Sequence, residues 1–356
     1  MPRIDGFMLI GIGILAVIGI AAPPSYAADA AEETAKAERI IGPDGSDNAC
    51  SNCHVREIEA WKQTRHFSTF VDRHRSERAK EIQANLGRAG AKASMKRSKD
   101  CRQCHYTSQI ANGRLRPRWG VSCESCHGAG RDWNNIHNKL GGDAAGKTMR
   151  WGEGRKEDAA GREARLTAAA GKGMIHSEML YEIATNCFGC HTVPNESLVN
   201  NGKHRAGSDF DLVMWSQGEV RHNYLSSPGA PDSPTNRAAT QKEKRTRYVI
   251  GAMVDLEFTL RNLANVAEKG GAFHTAMVER ANRARAKVDA ILKAVAIPDL
   301  SAAVKAVPSP VTEGTAIGSD LAESIGRASR AFAGNRPDLS AIDPQIPTGA
   351  KGNAAK

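Results

Sequence analysis

The chain has 356 residues, 25% of them charged, with aromatic residues at 5% and a formal net charge of +10. That length suits one large or two modest domains, but large side chains are too few to fill such a core unaided. The positive balance fits an acidic partner; nucleic acid is excluded by the export signal that opens the chain.

Arg3 precedes an apolar run over 8–22, followed by Pro23-Pro24-Ser25-Tyr26-Ala27. This reads as a signal peptide over 1–27, cut after about Ala27 and directing the protein to the periplasm. The run is shorter than the ~20 residues a spanning helix needs. Residues 28–48 form a polar leader. The region 49–225 holds all eight cysteines and ten of the eleven histidines. Within it, the spacing of Ile58, Trp61, Phe70 and Val71 predicts a helix over 55–86, and 141–173 reads as an exposed insertion with some helix. A linker rich in Pro, Ser and Gly occupies 226–239. In 240–334, Val249, Met253, Leu256, Leu260, Leu263 and Val266 recur at helical steps. Gly270-Gly271 interrupts, and Phe273, Met277, Ala284, Val288, Ile291 and Val295 resume, predicting a helical hairpin. Residues 335–356 are expected to be a disordered tail.

The cysteines make four pairs: Cys50-Ser-Asn-Cys53-His54, Cys101-Arg-Gln-Cys104-His105, Cys123-Glu-Ser-Cys126-His127 and Cys187-Phe-Gly-Cys190-His191. Each is C-x-x-C-H, the attachment pattern of c-type haem. Two thiols three positions apart add to the two vinyl groups of one porphyrin, and the adjacent histidine lies beneath the iron. Structural zinc does not require a histidine after the second cysteine, and a disulfide framework has no use for four of them. The motifs therefore predict four covalently attached haem c groups, each an iron site. Their flat apolar bodies would supply the bulk that the composition lacks.

A second axial ligand makes a low-spin electron carrier, whereas an empty sixth position can bind a small molecule. His66 follows His54 by twelve residues, ~18 Å along a helix. It therefore cannot close its own haem and would reach a neighbouring one. His137 follows the third motif through Gly128 and Gly130, which permit a sharp turn. His176, His204 and His222 each suit the fourth haem, and spacing does not separate them. His74 reads as solvated among arginines, and His274 as structural.

The stretch from Cys50 through Trp61-Lys62-Gln63-Thr64-Arg65-His66, with Gly120-Val121-Ser122-Cys123-Glu124-Ser125-Cys126-His127-Gly128, Gly130-Arg131 and His137, resembles the tetrahaem cytochrome c-554 family over about residues 49–195. The resemblance implies that His137 completes the haem on His54 and His66 the haem on His127. It also implies that the haem on His105 is five-coordinate and that the haem on His191 takes a histidine preceding its motif, pointing to His176; here that gap is longer, and His204 or His222 serves as well. Closely stacked haems forming a short wire are implied too. So are periplasmic redox partners: a donor like hydroxylamine oxidoreductase, a quinone-linked cytochrome as acceptor, and a cytochrome c maturation machinery to attach the haems.

The expected fold is mainly α, a multihaem cytochrome whose haems form the core, plus the C-terminal helical hairpin region. Three functions follow. The first is an electron carrier. The second is a haem enzyme reducing a small nitrogen species at an open iron on His105, with Arg102, Tyr106 or Arg118 as donors. In the third, the helices of 240–334 dock the cytochrome to a larger complex.

Overall fold

The computed structural model describes residues 30–46, 48–140, 143–144, 158–224, 235–334 and 337–355. The signal segment, the centre of the 141–173 insertion and most of the linker lie outside these. No helix among the described residues is long and apolar enough to cross a membrane.

The fold is mainly helical. Helix α1 (Ala30–Glu38) leads into a turn whose residues are held rather than loose. Ala37 and Ile40 are buried, and the buried carboxylate of Glu124 accepts from the backbone N–H groups of Ile41, Gly42 and Gly130 at 3.0, 2.7 and 2.6 Å. Glu33 forks onto Arg102 at 3.0 and 2.9 Å. The polar leader expected at 28–48 is thus, from Ala30 onward, a docked part of the fold.

The single helix expected over 55–86 is three: α2 (Val55–Lys62), α3 (Arg65–Val71) and α4 (Glu77–Asn85). The breaks are capping events. Thr64 is extended and its hydroxyl accepts from Phe67 N–H, and Ser76 does the same for Ala79 N–H. Such caps satisfy donors that a continuous helix would not expose. Helix α5 (Lys99–His105) carries the second motif. An antiparallel hairpin of β1 (Thr107–Ala111) and β2 (Arg114–Trp119) follows, then α6 (Cys123–His127) with the third motif and α7 (Asn134–His137). Helix α8 (Ala159–Ala170) closes the insertion, and α9 (Leu180–His191) ends in the fourth motif. The short helices α10 (Glu196–Asn200) and α11 (Leu212–Gln217) bring the chain to the C-terminal region.

There, α12 (Gln241–Ala264) and α13 (Ala272–Ala294) run side by side, with Asp255 paired to Arg280 and Asn262 against Met277. Then come α14 (Pro298–Lys305) and α15 (Ser319–Gly334). Helix α12 packs against α9, α11, α13 and α15. This explains why Ile250, Val254 and Phe258 are buried as well as the periodic Val249, Met253, Leu256 and Leu260; a helix surrounded on most sides is apolar around most of its circumference.

Two boundaries drawn from composition differ in the structure. One continuous apolar core joins Leu180, Tyr181, Ala184 and Phe188 of α9 to α12, α13, α14 and α15, so the fourth motif is built onto the C-terminal helices. The tail expected to be disordered also belongs to that core. Leu339, Ile342 and Ile346 are buried in it, Lys351 exchanges backbone hydrogen bonds with Met214 and Glu219, and the carbonyl of Ala355 accepts from Asn236. The physical reason is apolar spacing at one helical face, which outweighs the proline-rich composition.

Candidate haem-binding cavity

All four C-x-x-C-H motifs face one cavity of about 1920 Å³, well above the ~300–1,000 Å³ of a single small-ligand site. Each motif's histidine ends, or immediately follows, a helical turn that carries its cysteines. The thiols of Cys50 and Cys123 lie against each other, as do those of Cys104 and Cys190, and Cys126 lies near Cys187 and Cys190. Burial pushes the Cys126 thiol up to about 11 and Cys187 higher still. Buried thiols so held are poor thiolates, which disfavours a thioredoxin-like role.

The imidazoles meet in pairs. Ring centroids are 6.2 Å apart for His54 and His137, 6.4 Å for His66 and His191, and 6.1 Å for His127 and His222. A metal–imidazole bond is ~2 Å. Two nitrogens facing each other across one metal, with their ring centres about 1 Å farther back, therefore put the centroids roughly 6 Å apart. The three pairs have that spacing. His54 thus faces His137. The resemblance paired His66 with His127, but the structure sets His66 against His191 and gives His127 the ring of His222. His176, the histidine preceding the fourth motif, lines the cavity wall with its Nδ1 toward the Glu178 N–H at 3.4 Å. His74 is half-buried, and His274 is buried at the start of α13, where its Nδ1 accepts from Gly270 N–H at 2.8 Å.

The surrounding chain orients these rings. His127 Nδ1 lies 2.7 Å from the Ile175 carbonyl, His137 Nδ1 2.9 Å from that of Asn134, and His222 Nδ1 2.7 Å from that of Val220. A carbonyl can only accept, so each Nδ1 carries the proton and each Nε2 keeps its lone pair. Burial lowers His105, His127, His137 and His191 to about 4, so these rings are neutral at physiological pH, as metal ligands must be. The backbone of His66 is fixed by Val121, whose N–H donates to the His66 carbonyl at 3.1 Å, while Trp61 Nε1 donates to the Val121 carbonyl at 2.8 Å. Gly120 allows this approach, since a Cβ there would stand 2.1 Å from the His66 carbonyl oxygen.

The sequence profile of the family "Cytochrome c554 and c-prime" matches residues 49–128, which include the first three motifs. Residues 49–128 form a cytochrome c554 domain. A cytochrome c-554 from Nitrosomonas europaea is 33% identical over 101 residues, covering 26% of this chain and 41% of that relative. The match thus spans about two-fifths of the relative's length. No solved structure matches.

The cytochrome c554 domain implies c-type haem, and the cavity suits it in its polar as well as its apolar parts. Gln103 Nε2, Tyr106 OH, Ser108 Oγ, Trp133 Nε1, Trp215 Nε1 and Arg221 Nε are buried donors without a protein partner, and all six residues line the cavity. Buried donors are ordinarily satisfied, and haem propionates are acceptors of the right kind. Among the described residues no three His, Cys, Asp or Glu side chains converge as an ion-binding cluster; the donors meet in pairs.

Of the donors expected beside His105, Arg102 is held by Glu33 and by the Arg97 carbonyl. Arg118 is exposed on β2, near the Trp119 ring and away from the cavity wall. Tyr106 alone of the three presents a buried, unpartnered group to the cavity.

Sequence reasoning missed a support from the C-terminal helices. His191 Nδ1 lies 2.8 Å from Ser208 Oγ. The Ser208 carbonyl accepts from Arg280 Nη1 at 2.9 Å, and Arg280 Nε donates to Asp255 at 2.6 Å. Gly207, with φ of +80°, leaves room for Arg280, whose Nη1 would be 2.8 Å from a Cβ at that position. Nothing in the 240–334 sequence marks this connection.

Proposed function

We propose that the protein is a tetrahaem c-type cytochrome that carries electrons between redox proteins of the periplasm. Three imidazole pairs with ring centroids 6.1–6.4 Å apart, in the cavity that gathers all eight cysteines, carry this reading. Each cysteine pair, Cys50 and Cys53, Cys101 and Cys104, Cys123 and Cys126, and Cys187 and Cys190, would hold one haem covalently, with His54, His105, His127 and His191 as proximal ligands. Bound haem supplies one-electron chemistry at its iron. The paired rings of His54 and His137, His191 and His66, and His127 and His222 would each hold one iron from two sides, which would keep the ligand set unchanged between oxidation states.

The contacts order the sites. Cys50 touches Cys123, Cys126 neighbours Cys187 and Cys190, and Cys190 touches Cys104. The sequence of sites is therefore His54, His127, His191, His105, with His54 and His105 at the ends. Exposed Arg73 and Arg75 stand beside the His105 end. An acidic partner would be steered there by charge; a donor like hydroxylamine oxidoreductase and a quinone-linked cytochrome acceptor are the partner classes that fit. Attachment needs reduced thiols in an oxidising compartment, hence a maturation machinery.

The test is an electron count. Stepwise anaerobic reduction of the oxidised protein should take up four electrons per chain, and an oxidised cytochrome should recover all of them. Uptake of fewer, or reduction that a partner cannot reverse, contradicts the carrier reading.

A further inference from the structure

Three of the four motif histidines face a second imidazole at 6.1–6.4 Å. His105 is the fourth. The cavity wall also contains His176 and His204, and the hydrogen bonding of their rings separates them. His204 Nδ1 lies 2.8 Å from the Arg205 carbonyl, the arrangement found at His127, His137 and His222. The proton is thereby fixed on Nδ1 and the lone pair on Nε2. His176 has the reverse arrangement, with Nδ1 facing the Glu178 N–H, so its neutral ring carries the proton on Nε2. A carbonyl accepting from the far ring nitrogen, as in the first arrangement, is what holds a metal-ligating histidine in its tautomer.

The loop that carries His204 is built against the second motif. Lys203 has φ of +58°, a left-handed conformation uncommon outside glycine and maintained only where the surroundings impose it. Here they do. Asn85 of α4 donates to the Gly202 carbonyl at 3.3 Å and Arg78 of α4 donates to that of Lys203. The Lys203 ammonium caps the Asn200 carbonyl at 2.7 Å, and His204 N–H donates to the Leu198 carbonyl at 2.9 Å. The same α4 places Gln83 Nε2 3.2 Å from Cys101 Sγ. One helix thus grips both the second motif's first cysteine and the turn presenting His204. His204 lies among the neighbours of His105, with Arg73 and His66.

We infer that His204 is the second axial ligand of the iron held at His105, so that all four irons are six-coordinate and none is open. This rests on the tetrahaem reading and departs from the five-coordinate His105 haem that the family resemblance implies.

The test is the spin state of the oxidised holoprotein by electron paramagnetic resonance and magnetic circular dichroism. The wild type should show low-spin ferric haem only. His204→Ala should turn one haem in four high-spin, leave the other three unchanged, and regain the low-spin signal when imidazole is added. His204→Met should stay fully low-spin with one raised potential, and His176→Ala should match the wild type. A high-spin haem in the wild type, an unchanged spectrum in His204→Ala, or a high-spin haem in His176→Ala overturns the assignment. Fewer than four haems per chain by mass would overturn the tetrahaem reading instead, so the two failures are distinguishable.

Discussion

The ring planes of His54 and His137 lie 13° apart, whereas those of His127 and His222 lie 88° apart and those of His66 and His191 58°. Parallel axial imidazoles split the iron d orbitals that receive their π electrons, and perpendicular ones leave them nearly degenerate. The oxidised protein should therefore give both an ordinary rhombic low-spin resonance and a highly anisotropic one. His222→Ala should remove the anisotropic signal and spare the rhombic one; loss of the rhombic signal instead would refute the pairing. The support behind His191 makes a second prediction. Arg280 is buried and paired with Asp255, whose carboxyl is pushed upward by burial. Arg280→Met should cost ~3–5 kcal/mol, as expected when half of a buried ion pair is removed, and should shift the potential of one haem only. Arg280→Lys should recover part of the stability. If neither potential nor stability moves, the Asp255–Arg280–Ser208 connection does not position His191. At this scale the motif cysteines and histidines were legible because their chemistry is local in sequence. The pairing of His137 with His54 was implied by the resemblance, but the partners of His127 and His191 were not legible, because His222 and His66 reach those rings through tertiary packing alone.

Among elements, α12 shows how a boundary is set. Thr240 is its N-cap and forms a capping box with Glu243, which also accepts both Arg237 guanidinium nitrogens at 2.8 and 2.9 Å. The Arg237 hydrogen bond holds the Glu243 carboxyl down at about 2. A depressed carboxylate contributes stability above its unfolded value of ~4.3, and that contribution is lost as pH falls through the folded value. Glu243→Gln should thus lower stability at neutral pH by ~1 kcal/mol, the usual size of a cap and a partly exposed ion pair. The difference from wild type in thermal unfolding should shrink between about pH 5 and 2. A gap independent of pH would show that the charge is not what matters. The helical periodicity of 240–295 was readable directly. The break between α2 and α3 was also present, as Thr64 three residues before Phe67, but the apolar spacing across 55–86 concealed it.

For the molecule as a whole, the C-terminal helices share one apolar core with the helix that carries the fourth motif. Tyr181 of α9 donates to the buried Glu257 of α12 at 3.0 Å, and Phe188, inside the fourth motif, sits 1% exposed in the shared core. Removing residues 240–356 should uncover that face and yield protein with fewer than four haems; a truncated chain with four haems and unchanged spectra would make the region a separable appendage. Ile342→Ala, in the segment expected to be disordered, should cost ~2–5 kcal/mol, measured by denaturant unfolding. Leu339, Ile342 and Ile346 already stand at helical steps in the sequence, but Pro337, Pro344 and Pro347 around them suggested a loose tail. Composition marked 226–239 as a division, yet burial of α9 against α12 crosses it, and no local pattern records a contact between segments so far apart. The most direct measurement is the mass of the purified, exported protein under denaturing conditions. It should equal the mature polypeptide plus four haems, each bound through two thioethers; a mass equal to the bare polypeptide, or exceeding it by fewer than four haems, would contradict the account.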